Sequence, residues 1–230
     1  MHRLLVLGVA IFSIHLTGCH DGPLYALKRA NPYFTMREWR NDEKMGVTDH
    51  KRREELLALA ESIESMPAER QAYWQPHLEQ IYENDASAEM RRLAVLAAGR
   101  TNDPRVLTLL EDGMDDDSVK VRMEACRALG RQSSDDAARL LAQTLGSTSD
   151  RDVRHAAIDA LANHPGTIAN NALSNLLRDR NPATQSLVIA SLQRTTGQDL
   201  GSDPDAWIAA LASPINGEIS DDATPEPLIR

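Results

Sequence analysis

Apolar residues recur along the middle of this chain with the period of an amphipathic helix, in short stretches separated by breaks rich in Asp, Asn, Pro and Gly. In Val121-Arg122-Met123-Glu124-Ala125-Cys126-Arg127-Ala128-Leu129-Gly130, the residues Val121, Ala125, Cys126 and Leu129 fall at i, i+4, i+5 and i+8, one stripe of a helix. The block returns as Met90 to Gly99, Val153 to Ala162 and Thr184 to Gln193, at offsets of 31, 32 and 31 residues along the series. A second block keeps the step: Leu109-Leu110 with Met114, Leu140-Leu141 with Leu145, and Ala172-Leu173 with Leu177. Each unit is therefore predicted to be two short helices. The punctuation agrees. Asp103-Pro104 offers an N-cap and an N1 proline, Thr167 can cap after Pro165-Gly166, and Asp116-Asp117-Ser118, Asp150 to Asp152 and Asn181-Pro182 precede the first helices.

A hairpin of this size cannot bury its stripe alone, so neighbouring units must stack into a quasi-one-dimensional solenoid. Ala94, Ala125 and Ala157 would let successive first helices approach closely, with Leu, Val and Ile filling the seam. The lack of any aromatic from Glu83 to Ala206 follows from that approach, and Trp74 and Trp207 are left for the ends. Residues 49–83, with Leu56, Leu57, Leu59, Ala60 and Ile63 followed by Tyr73, Trp74, Leu78 and Ile81, read as a degenerate capping pair. The repeats are expected at 84–115, 116–147, 148–179 and 180–212. In the fourth, Gln185 stands in place of Arg, and a long turn, Thr195 to Pro204, precedes a helix carrying Trp207, Ile208 and Leu211. From Ser213 the composition predicts a disordered tail over 213–230.

These units resemble HEAT repeats, specifically the short bacterial HEAT-like units typified by phycobilisome-lyase repeats. The shared pattern is Asp, two or three residues, Val-Arg, two residues, Ala, then Ala-Leu, and it covers residues 84–212. The resemblance implies an all-α fold, a right-handed α-solenoid of stacked helical hairpins. It also implies that Arg91, Arg122 and Arg154 form a ladder with acidic residues of adjacent turns, Asp117, Asp150 and Asp152. A planar guanidinium can serve two carboxylate oxygens at once. The other use of such a row would be an anion-binding stripe.

The start of the chain has a different character. Met1-His2-Arg3 is followed by an apolar run from Leu4 to Leu16, about 20 Å of helix and too short for a permanent span of about 30 Å. It reads as an export signal over residues 1–18. The run ends Leu16-Thr17-Gly18-Cys19, which closely resembles the bacterial lipobox; that implies a lipid thioether on Cys19, whose acyl chains would hold the body to a membrane. Residues 19–48 would be a tether, with Tyr33, Phe34 and Trp39 packing on the first helices. Cys126 would then be the lone thiol in an oxidising compartment, so burial is expected.

Composition narrows the function. Of 230 residues, 25 are Lys or Arg against 34 Asp or Glu, a net −9, and removal of residues 1–18 takes away Arg3 as well. That balance opposes a nucleic-acid partner. The five histidines that would remain after removal of residues 1–18, His20, His50, His77, His155 and His164, are scattered, with no His-Glu pair or His-x-x-x-His spacing, so no metal site is expected. Asp115-Asp116-Asp117 lacks the loop of a calcium site and reads as a solvated helix start. No nucleophile elbow or glycine-rich phosphate loop occurs, and no cofactor is implied.

What remains is surface. The resemblance implies that second helices line the concave side, which puts forward Arg105, Thr108, Glu111, Asp112, Arg139, Gln143, Asn171, Ser174, Asn175 and Arg178 as the contact set. Mixed in sign and rich in amides, they suit a protein or peptide segment; the alternative is a merely solvated face. The expectation is a lipid-anchored scaffold or adaptor of the bacterial envelope, with its body outside the cytoplasm. The rival from another class is a HEAT-type lyase or other enzyme holding a small molecule in the groove.

Overall fold

The computed structural model describes residues 48–212 together with Arg37, Asn41, Lys44 and Gly46. Cys19, the segment 1–18, the tether aromatics Tyr33, Phe34 and Trp39, and the tail 213–230 lie outside the described residues. The chain divides into two compact units, residues 1–54 and 55–230. In the first, Arg37, Asn41 and Lys44 are helical and exposed, and Thr48 begins helix α1 (Asp49–Ser62) by accepting the Lys51 N–H at 3.2 Å. The division falls inside α1, whereas the sequence places the domain start at Asp49.

In the second unit a 3₁₀ turn (Ile63–Ser65) follows α1 and leads to α2 (Ala68–Asn84). Four hairpins come next: α3 (Ala88–Ala98) with α4 (Val106–Met114), α5 (Val119–Leu129) with α6 (Asp135–Ser147), α7 (Arg151–Leu161) with α8 (Thr167–Ser174), and α9 (Pro182–Thr196) with α10 (Pro204–Ala212). No strand occurs among the described residues. The first helices α3, α5, α7 and α9 pack in series, as do the second helices α4, α6, α8 and α10, and each second helix also packs on the next first helix. This is an α-solenoid of helical hairpins.

One apolar cluster runs through the unit, from Leu56 to Trp207. Ala94, Ala125 and Ala157 lie in it with no exposed surface, as does Cys126, whose Sγ sits 3.6 Å from Met114 Sδ. Close helix approaches occur about one turn beyond those alanines. A Cβ on Gly99 would lie 2.3 Å from the Ala128 Cβ, and one on Gly130 would lie 3.0 Å from that of Ala160. Both glycines have ordinary helical φ, −66° and −62°, so neighbouring-helix proximity, not backbone conformation, excludes a side chain there.

Several sequence expectations are corrected. In the capping pair, Leu57 is 42% and Tyr73 59% exposed, while Gln71 and Gln75 are buried. The inward face of α2 runs Gln71, Gln75, Leu78 at i, i+4 and i+7, which turns Tyr73 to the opposite side. Asp103-Pro104 does not start α4 directly. A 3₁₀-like turn closes from Val106 N–H to the Asp103 carbonyl at 3.0 Å, and the helix begins at Val106. Thr167 is the first residue of α8, with Gly166 at the N-cap and no side-chain cap. Asp150 and Asn181 do cap α7 and α9. At the far end Gly197 and Gly201, at φ 69° and 77°, carry the long turn through left-handed conformations that favour glycine. Trp207 is fully buried there, its Nε1–H donated to the Gly201 carbonyl at 2.9 Å.

Gly99→Ala is expected to destabilise the protein by about 1–3 kcal/mol through overpacking against Ala128. Gly146→Ala, in α6 with nothing within 4 Å of the new Cβ, should instead stabilise it by about 0.5–1 kcal/mol. Urea unfolding of the two variants against wild type checks the opposite signs.

Candidate functional site

Each first helix is approached through a tight turn in which a side-chain oxygen accepts the backbone N–H two residues on. The turn residues are Asp85 to Ser87 (2.9 Å), Asp116 to Ser118 (2.8 Å), Thr148 to Asp150 (3.2 Å) and Asp179 to Asn181 (2.8 Å). They keep the repeat offset of the arginines. Each arginine folds back on its own turn: Arg91 donates to the Asp85 carbonyl at 3.1 Å, Arg122 to that of Asp116 at 2.6 Å, and Arg154 to that of Thr148 at 3.0 Å. Gln185 makes only a backbone bond in this region, to the Leu177 carbonyl at 3.1 Å.

The other side of each guanidinium reaches the next repeat. Arg91 forms a two-pronged pair with Asp116, Nε to Oδ2 at 2.7 Å and Nη2 to Oδ1 at 2.9 Å. Arg122 finds uncharged Thr148 at the equivalent place and stretches to Asp150 at 3.5 Å, whose Oδ1 already caps α7. Arg154 lies 3.8 Å from Asp179. The ladder therefore uses Asp116 and Asp179 where the sequence expectation had Asp117 and Asp152. Those two are exposed and pair with no ladder arginine, because each follows a turn or cap residue and projects outward. Asp116 is also a correction to the solvated helix start, since it is only 8% exposed. Burial pushes its carboxyl up, but hydrogen bonds from Arg91 and the Ser118 N–H, with the charges of Arg91 and Arg122, outweigh that and hold it below the ordinary carboxylate range. With their guanidinium groups spent on carbonyls and carboxylates, Arg91, Arg122 and Arg154 do not form an open anion-binding stripe.

A second ladder, at the opposite ends of the first helices, is absent from the sequence expectations. Arg100, Arg131, Asn163 and Arg194 repeat at 31, 32 and 31 residues. Each donates to a carbonyl at or near the end of the preceding first helix: Ala60 (2.8 Å), Gly99 (3.3 Å), Gly130 (3.2 Å) and Asp159 (2.9 Å). Terminal helical carbonyls have no intrahelical partner, so this supplies one. Gln132 adds a bond to Gly99, and His164 Nε2 lies 3.1 Å from the Leu129 carbonyl. Also unforeseen is Glu124, buried on α5 among Arg131 (3.3 Å), Arg92 (3.5 Å) and Arg127 (3.6 Å). The available signal was a carboxylate at the repeat position otherwise held by Leu93, Ala156 and Leu187.

The proposed contact residues lie elsewhere. Thr108, Glu111 and Asp112 on α4, Gln143 and Arg139 on α6, and Asn171 on α8 are exposed, while Ser174 is half-buried. Arg105 precedes α4, and Asn175 and Arg178 fall in turns after α8, which stops at Ser174; these three are exposed but not on the helices. Two of the cations are tied within their own repeat. Arg105 chelates Asp103, whose carboxyl it holds below the ordinary range, and Arg139 pairs with Asp136. Tyr82 donates its hydroxyl to the Asp112 carbonyl at 2.8 Å. Burial and the nearby Asp116 and Asp112 push that phenol up to about 12. No group of three or more His, Cys, Asp or Glu side chains among the described residues could hold a metal ion.

Fold and seams together define the class: an α-solenoid of repeated helical hairpins. Residues 76–162 match the family described as HEAT repeats, a stretch from within α2 to just past the end of α7. No curated protein matches the chain.

Arg91→Ala leaves a buried carboxylate unpaired and is expected to cost about 3 kcal/mol, whereas Arg122→Ala, losing a longer and more exposed pair, should cost about 1 kcal/mol. The Asp116 contribution is present above the ordinary carboxylate range and lost as pH falls through its lowered folded value, so Asp116→Asn should flatten the acid side of the stability curve. Urea unfolding at about pH 7 and about pH 3 reads both effects. Burial pushes the Cys126 thiol up to about 12, so a thiol reagent should label it only at the rate of unfolding.

Proposed function

We propose that this chain is a lipid-anchored scaffold or adaptor of the bacterial cell envelope, held to a membrane through Cys19 and binding a protein partner through the second-helix face. HEAT repeats commonly serve protein interaction, and the match over residues 76–162 supports that part of the reading. The observation that carries it is how the recurrent polar positions divide. The arginines at the two ends of the first helices serve the seams between repeats, while Thr108, Glu111, Gln143 and Asn171 face solvent and contribute nothing to stacking. Mixed charges and amides on such a face suit a polar protein surface. The lipid anchor and the location outside the cytoplasm rest on Leu16-Thr17-Gly18-Cys19 and the apolar run before it. The absence of a catalytic role rests on the lack of any nucleophile or metal motif in the sequence.

A photo-crosslinking amino acid placed in turn at Thr108, Gln143 and Asn171 in intact cells is expected to trap one discrete protein adduct, which the same probe at Lys120 on α5 does not give. Equal adducts from both faces, or purified protein that turns over a bound small molecule, would overturn the binding reading. Metabolic labelling with a fatty acid should mark the wild type and not Cys19→Ser.

A further inference from the structure

The turns that join first to second helices in the second and third repeats enclose an open groove of about 420 Å³, lined by Ser133, Asp135, Asn163, His164, Thr167 and Ile168 among others. Two features of its wall are unsatisfied. Helix α8 starts there behind Gly166, which has no side chain to cap it, so the N–H groups of Thr167, Ile168 and Ala169 have no intrahelical acceptor. Helix α6, in the same groove, is capped by Ser134. The second feature is His164, 7% exposed. Its Nε2 contacts a carbonyl oxygen, which can only accept, so the ring proton sits on Nε2 and Nδ1 is a bare acceptor. Burial holds the imidazole below its ordinary value and keeps it neutral. Nδ1 has no partner among the described residues, yet it is not one of the sealed unsatisfied atoms, which are Gln75 Oε1 and Arg154 Nε. It therefore keeps exposed surface, and His164 lines the groove.

Helix N–H donors, the His164 Nδ1 acceptor and the Asp135 carboxylate, which also lies 4.0 Å from Arg139, ask for a ligand that carries an acceptor and a donor together. A carboxylate would meet the Asp135 charge, and an ammonium would meet the positive end of α8. We propose that the groove binds a carboxamide, its carbonyl oxygen on the α8 N–H groups and its N–H on His164 Nδ1 or Asp135, presented by an extended segment of the partner protein. The choice of a peptide over a free small molecule rests on the protein-binding reading above and on the openness of the groove, which would leave a small ligand half in water.

The test titrates the uniformly ¹⁵N-labelled full chain with N-acetylasparagine methylamide and, separately, with sodium acetate. Saturable shifts of the Thr167, Ile168 and Ala169 amides and of the His164 ring nitrogens, with a Kd on the order of 1 mM for so small a probe, are expected from the amide alone. Thr167→Pro removes one donor at a position where a helix tolerates proline, and should weaken binding about fivefold while leaving the other repeats' resonances in place. No saturable shift, or acetate moving the same resonances at equal or lower concentration, would overturn the assignment. The crosslinking experiment stands apart from this one: a discrete adduct from α4, α6 and α8 with no amide shift sinks the groove alone, and the reverse result sinks the choice of partner face alone.

Discussion

Everything in this molecule depends on how closely one first helix can lie against the next. A hairpin of two helices of roughly three turns each cannot enclose a core, so every unit borrows half of its dry surface from a neighbour. That requires small residues where the helix surfaces touch. Gly99 against Ala128 and Gly130 against Ala160 are two such points, and there is no room for one methyl group. The lack of large aromatics between Tyr82 and Trp207 is the same constraint seen in composition, and Trp207 is fully buried on the last described helix, α10.

Close approach has a polar consequence. Bringing helix ends together removes water from terminal carbonyls and N–H groups, and each such group left unpaired costs about 1–3 kcal/mol. The chain answers at both ends of α3, α5 and α7. At the N-terminal end an arginine bridges its own turn and the next one, and at the C-terminal end a polar side chain covers the preceding helix's last carbonyls. The bridge weakens from Arg91 to Arg122 because the turn residue changes from Asp116 to Thr148, which leaves Arg122 only the already engaged Asp150.

These seams also sort the surface. Charges that would have looked available for a ligand are committed to holding repeats together, and Glu124 neutralises arginines that would otherwise make the first-helix face basic. The second helices carry no comparable inter-repeat ladder, which frees their outward positions to vary with a partner's needs. The groove at the turns before α6 and α8 borders the carbonyl seam through Asn163 and His164, and Gly166 leaves the start of α8 in it without a side-chain cap.

The repeat period, the helical hairpins, the small-residue seam and the burial of Cys126 were legible in the chain alone, since each follows from spacing between residues on one helix. The arginine row was legible too, but its partners were not. Asp116 and Asp117 are adjacent and chemically identical, and only the direction in which the turn projects them decides that one is buried against Arg91 while the other meets water. The carbonyl ladder through Arg100, Arg131, Asn163 and Arg194 was not read from the sequence, because its acceptors are backbone atoms of another helix. Tyr73 and Leu57 escaped it for a related reason: which side of α1 and α2 turns inward is set by the helices they pack against, and Gln71, Gln75 and Leu78 take that side of α2. Period, in short, is a property of one chain segment; register between segments arises only when they touch.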